Sequence, residues 1–230
     1  MTSFLLLHGG AGPASMTGFA DYLVAERPAT VLTPTHPGFD GTPFLPGVSV
    51  PALARRYATL LAERELHDVV VVGNSLGGWI AAELALLADP RITGVVIMNA
   101  VGISVPGHPI ADFFALSLPE VAAKSWHDPS LFRPDPARQH LAAGNREALA
   151  RYAGRDMADP LLAARLAAVT VPALVLWGQS DQLADPGYGR AYAAAIPGAT
   201  YQPLPATGHL PQLESPALTR AAIWEFADKQ

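Results

Sequence analysis

The stretch VVVVGNSLGGWIAAELAL, residues 69–86, leaves few ways for this chain to fold. Four consecutive valines favour an extended strand, because β-branched side chains suit a pleated surface. A few residues later the apolar spacing becomes helical, so strand must give way to helix within one tight turn. Ser75 stands at that turn, with Gly73 and Gly77 two residues to either side. So sharp a bend brings backbone segments together where a Cβ would collide, and glycine has none. The pentapeptide GNSLG thus has the G-x-S-x-G form that lifts a serine hydroxyl out of a sheet. The helix that follows turns its N–H groups and positive dipole end toward any negative charge developing there.

The same alternation runs along the chain. Continuously apolar runs predict strands over Phe4–Leu7, Thr30–Thr33, Val69–Val72, Val95–Asn99, Ala173–Trp177 and Thr200–Leu204. Runs without polar alternation belong to parallel strands covered on both faces. Between them lie helical patterns over Ser15–Glu26, Pro51–Leu66, Gly77–Ala88, Gly187–Ile196 and Pro216–Asp228, three of them opening near a proline that suits a first turn. This predicts an α/β fold with a mostly parallel, doubly wound sheet. From residue 102 to 169 no strand pattern occurs, only helical patterns broken by proline. A structureless loop of that length is improbable. The segment reads as a helical insertion into a core made of residues 1–101 and 170–230. Its aromatics Phe113, Phe114, Trp126 and Phe132 suit either a pocket lining or packing onto the body.

Half of the 230 residues are hydrophobic and 15% are charged, which supports a large core and excludes disorder. A net charge of −5 without a basic cluster argues against nucleic acid as partner. With no cysteine there are no disulfides, thiolate metal sites or cysteine nucleophiles, and the seven histidines show no metal-binding spacing. The opening MTSFLLLHGG lacks the basic start and long apolar run of a signal peptide. No stretch approaches the roughly 20 apolar residues of a membrane span. The expectation is a cytoplasmic protein with no membrane partner.

A serine nucleophile needs a base, an orienting acid and oxyanion donors. His209, in the loop after the last predicted strand, is the candidate base. His36, His67, His108, His127 and His140 read as loop or surface residues. Asp181, just past the fifth strand, is the candidate acid, and Asp185 before Pro186 reads as a turn or cap. Asn99 ends a strand where an acid could have stood but does not. The residue after the nucleophile, Leu76, is expected to supply one oxyanion N–H. The glycine-rich LLHGGAGPAS supplies the other, with Gly10 preferred over Gly9 and Ala11. That segment lacks the third glycine and following acid of a dinucleotide loop.

In order, the motifs HGG, HPGFDGT, GNSLGG, WGQSD and TGH make nearly the whole chain resemble the α/β-hydrolase fold family. The resemblance implies a Ser75–Asp181–His209 triad and a lid formed by the insertion. It implies hydrolysis of a carboxyl ester, of esterase or lactonase type, on a small and hydrophobic substrate. No metal or organic cofactor is then needed. HGG and GNSLGG also look like the hydrolases that cut carbon–carbon bonds in meta-cleavage products. There the residue at Asn74 helps line the site, and Leu210 stands where that group carries a tryptophan. A third reading is a non-catalytic ligand receptor on the same fold. Dehalogenases and epoxide hydrolases, with aspartate at the nucleophile position, fit less well.

Overall fold

A computed structural model describes residues 2–133 and 135–230. Six strands form one sheet: β1 (Ser3–Leu7), β2 (Thr30–Leu32), β3 (Val69–Asn74), β4 (Ile92–Met98), β5 (Ala173–Gly178) and β6 (Thr200–Leu204). Their spatial order is β2-β1-β3-β4-β5-β6, and every pairing is parallel. Register carries a row of apolar side chains across the middle, Leu5 beside Val71, Val71 beside Val95 and Val95 beside Ala173.

The unbroken apolar runs follow from there being two cores. Leu5, Leu7, Val71, Val95, Ile97, Val175 and Trp177 join one cluster, while Phe4, Leu6, Val70, Val72, Val96, Met98 and Leu176 join the other. Since successive strand residues point to opposite faces, both faces must be apolar. The second face is covered by α1 (Ala14–Val24), through Met16, Phe19 and Leu23, and by a C-terminal helix over Pro216–Ala227, through Ile223 and Trp224. The first is covered by α2 (Val50–Glu63), α3 (Leu76–Leu86) and a helix over Pro186–Ala194. Two caps set helix starts: Ser49 accepts from Ala52 N–H, and Asp185 accepts from the N–H groups of Gly187 and Tyr188, the capping role expected of it.

Residues 102–169 hold α4 (Leu118–Ser125), two 3₁₀ turns (Pro129–Leu131 and Pro136–Leu141), α5 (Ala142–Ala153) and α6 (Leu162–Leu166). The remaining helices are then α7 (Pro186–Ala194), α8 (Pro211–Glu214) and α9 (Pro216–Ala227). Of these, α8 is a single turn with no apolar period to betray it. Residues 102–169 share the main core through Leu149, Tyr152, Met157, Leu162 and Leu166. Polar contacts fasten them as well. Tyr152 donates to the carbonyl of Pro37 (2.9 Å), Asn145 and Arg138 hold Asp40, and Arg165 pairs with Glu83 on α3 (2.6 Å). No helix among the described residues is long and apolar enough to cross a membrane.

Chain order reverses at the centre: β1 leads outward to β2, and β3 leads the other way to β4. In open α/β sheets the crevice at such a switch, above the strand carboxyl ends, is where ligands bind. The loop after β1 and the turn after β3 meet there.

Candidate active site

Ser75 occupies the single position between the end of β3 and the start of α3, with φ 56° and ψ −115°. A non-glycine residue there carries strain of about 1–3 kcal/mol, which persists only where the surroundings enforce it. The enforcement is visible. Ser75 N–H donates to the carbonyl of Met98 on β4 (3.0 Å), and Ser75 C=O accepts the N–H of Trp79 (3.2 Å). The two flanking glycines are required by contact. A Cβ on Gly73 would lie 2.0 Å from the Gly77 carbonyl oxygen, and one on Gly77 would lie 2.0 Å from that of Leu7.

His209 and Asp181 are paired and buried. His209 Nδ1 lies 2.7 Å from Asp181 Oδ2, with side-chain exposures of 7% and 0%. A carboxylate accepts, so Nδ1 carries a proton, and in the neutral ring the lone pair is then on Nε2. Asp181 Oδ1 takes the N–H groups of Leu183 (2.8 Å) and Ala184 (3.2 Å), and its Oδ2 also takes the side-chain amide of Asn99 (2.8 Å). Asn99 in turn accepts from Gly178 N–H (3.2 Å). It thus holds the Asp181 carboxylate, a contact that its position at the end of a strand did not disclose. The Ser75 hydroxyl and His209 are not hydrogen-bonded to each other in this structure. In ligand-free sites such contacts are often long, and they tighten when substrate arrives.

The loop after β1 lies directly against the serine, since a Cβ on Gly9 would meet Ser75 Cβ at 2.8 Å. The Gly9 carbonyl accepts from the His8 ring (Nδ1, 2.8 Å) and from Gly12 N–H (3.1 Å). In a trans peptide the N–H points opposite to the carbonyl, so Gly10 N–H is turned away from these partners. Leu76 is the first residue of α3, and its N–H has no acceptor within the helix.

His36, read as a loop or surface residue, lies in the loop after β2 but is fully buried. Its ring stacks on that of His8 at 3.8 Å, donates from Nε2 to the His8 carbonyl (2.8 Å) and accepts from the Tyr57 hydroxyl (2.5 Å). His36 N–H donates to His8 Nε2 (3.0 Å). Burial pushes the His8 pKa down to about 4, and burial together with the neighbouring His8 pushes His36 well below the usual value. Both rings are neutral at pH 7 and buttress the glycine loop. A histidine packed below a sheet edge has no signature in single-chain sequence. The other four behave as expected: His67, His127 and His140 are exposed, and His108 is part-exposed beside Asp185 (2.9 Å).

Of the pocket candidates, Asn74 and Leu210 adjoin His209, and Trp126 adjoins the neighbouring Gly208. Asn74 is wholly buried, donating to the carbonyls of His209 (2.9 Å) and Met98 (3.3 Å) and accepting from Gln212 (3.2 Å). Phe113 and Phe114 pack edge to face beneath Arg146, and Trp126 lies against Phe132 at 6.0 Å. Leu210 is half-buried at the start of α8. A cleft of about 760 Å³, bounded by Ile103, His108, Ile110, Arg155 and Tyr188, includes none of Ser75, Asp181 and His209.

The sequence pattern of the alpha/beta hydrolase family matches residues 4–222. An uncharacterized hydrolase of Bacillus subtilis (strain 168), YugF, is 26% identical over 199 residues, which are 76% of this chain and 70% of that one. A thermophilic esterase from Thermogutta terrifontis is similar in structure, with a TM-score of 0.79 and 26% identity over 100% of this chain and 90% of that one. The meta-cleavage product hydrolase of Pseudomonas fluorescens IP01 shares the fold, with a TM-score of 0.77 at 18% identity over 100% and 91% of the two chains. The match across residues 4–222, on a parallel sheet of this order, makes the chain a member of the alpha/beta hydrolase family.

Proposed function

We propose that this protein hydrolyses carboxyl esters through an acyl-enzyme on Ser75. The observation that carries the reading is the buried His209–Asp181 pair at 2.7 Å, placed above the same sheet edge as a serine held at φ 56°. His209 Nε2 takes the Ser75 proton as Oγ attacks the ester carbonyl. Asp181 holds the tautomer and stabilises the imidazolium. The N–H groups of Gly10 and Leu76 stabilise the oxyanion, with Gly9 and Ala11 as neighbours of the same loop. His209 then protonates the departing alkoxide, and a water deprotonated by His209 releases the acid. Residues 102–169 serve as the lid, and a hydrophobic acyl or alkyl group fits the aromatics they carry.

The test is fluorophosphonate labelling with peptide mapping, alongside turnover of nitrophenyl esters of increasing chain length. Label on Ser75 and ester turnover that falls roughly 10⁴–10⁶-fold in Ser75→Ala are the expected results. Likeness of fold to the meta-cleavage product hydrolase makes carbon–carbon cleavage the competing outcome. It would show as bleaching of a dienoate's visible absorbance by a protein that leaves nitrophenyl esters intact. Ligand binding with neither label nor turnover would identify a receptor.

A further inference from the structure

Where α4 ends, the chain is stitched to both loops that carry the acid and the base. Lys124 C=O accepts the N–H of Gln182, next to Asp181 (2.9 Å), and Ser125 C=O accepts the N–H of His209 itself (2.6 Å). His127 Nδ1 meets the Ser180 hydroxyl at 2.7 Å. The fourth stitch is a carboxylate. Glu214 accepts His127 N–H (2.7 and 3.1 Å) and, through Oε2, Gly208 N–H (2.7 Å). It therefore binds together two backbone donors, one in the 102–169 segment and one beside His209. Glycine at 208 admits the approach, since a Cβ there would lie 2.1 Å from Ser125 O.

From this junction we infer that Glu214 is a positioning residue for His209, clamping the end of α4 to the histidine loop so that the seating of residues 102–169 sets the alignment of the imidazole. The inference rests on the ester-hydrolase reading and deepens it. Glu214 closes α8, the one-turn helix that begins two residues after His209, so the short covalent path fixes its reach back to Gly208. Burial raises its pKa, opposed by the two N–H bonds and by His127, while Asp181 is the acidic neighbour acting with burial. On the far side Asn74 holds the His209 carbonyl (2.9 Å). The backbone of His209 is thus held at its N–H by the α4 end and at its C=O by the serine strand. A substrate that shifts α4 moves the N–H side alone, which turns the ring relative to Ser75.

The experiment compares wild type, Glu214→Ala, Glu214→Gln and Ser75→Ala as full chains. Turnover of p-nitrophenyl butyrate, second-order labelling by a fluorophosphonate and the low-field proton resonance of the His209–Asp181 bond are measured for each. Loss of a charge-assisted acceptor shared by two donors predicts that kcat falls about 10–100-fold in Glu214→Ala with KM within about twofold. The labelling rate falls in step and the low-field resonance broadens. Glu214→Gln keeps one acceptor oxygen and falls between. A Glu214→Ala kcat within twofold of wild type, or a rise in KM alone, would overturn the inference. If Glu214→Ala does not fold, Glu214→Gln decides by the same criterion. Ser75→Ala separates the two failures: full activity there removes the functional reading, whereas an inert Ser75→Ala beside a fully active Glu214→Ala removes only the clamp.

Discussion

Replacing Asn99 tests how far the proposed acid, Asp181, depends on a buried neighbour. Asp181 receives four donors, two on Oδ1 from Leu183 and Ala184 and two on Oδ2 from His209 and Asn99. Asn99→Ala leaves Oδ1 anchored, so the acid stays in place, but Oδ2 is then held by His209 alone. A hydrogen bond to a charged group contributes about 1.5–3 kcal/mol. If that is lost wholly in the transition state, at 1.4 kcal/mol per tenfold, kcat/KM falls about 10–150-fold. Stability falls too, because Gly178 N–H loses its acceptor and because residue 99 sits at φ 43°, which alanine tolerates less well than asparagine. Asn99→Gly separates these effects: it relieves the backbone while losing the same hydrogen bonds. Both variants are assayed for kcat/KM on a nitrophenyl ester and for Tm by calorimetry. The expected result is a similar loss of kcat/KM in the two, with the smaller Tm decrease in Asn99→Gly. If kcat/KM stays within twofold in both while each folds normally, Asn99 does not orient the acid.

Three further outcomes follow from the packing. Gly77→Ala puts a Cβ 2.0 Å from a β1 carbonyl that the sheet cannot move, so the variant should lose more than about 4 kcal/mol by urea unfolding or fail to express soluble; a stable Gly77→Ala contradicts the turn geometry. His8 titrates near 4 folded and near 6.5 unfolded, so below pH 6.5 the unfolded chain binds a proton that the folded one refuses. The penalty is absent above pH 6.5, grows by about 1.4 kcal/mol per pH unit on acidification and levels off below pH 4, at about 3 kcal/mol in all. His8→Asn keeps a donor toward Gly9, and its unfolding free energy should fall less steeply between pH 6.5 and 4 than that of wild type; parallel slopes rule His8 out. Arg165→Met strands the buried Glu83 carboxylate, at a cost of about 2 kcal/mol after allowing for the partly exposed arginine, seen as a lower Tm that Glu83→Gln/Arg165→Met partly restores; an unchanged Tm in Arg165→Met denies the pair that role.

The fold was legible because both faces of the sheet are covered. Val69–Val72 and Ala173–Trp177 could be uniformly apolar only as buried parallel strands. The apolar period overruns two helix ends, to Leu66 and Ala88, because a left-handed residue stops these two helices without a composition signal, Glu65 at φ 51° and Ala88 at φ 48°. Ser75 was legible because two glycines and a strand–helix change coincide there. The contact of Asn99 with Asp181 is not legible in the sequence, since the two lie 82 residues apart and only the sheet brings them together. Ser125 could not have been found at all, because it acts through a backbone carbonyl that every residue possesses. For Phe113, Phe114, Trp126 and Phe132, pocket and core draw on the same residue types, so composition could not choose between them.

The most direct measurement is the mass of the protein after a brief pulse of p-nitrophenyl butyrate quenched in acid. The expected result is a fraction of wild-type chains heavier by one butyryl group, carried on the peptide containing Ser75 and absent from Ser75→Ala. Ester turnover undiminished in Ser75→Ala, or an acyl group found on a different residue, would contradict it.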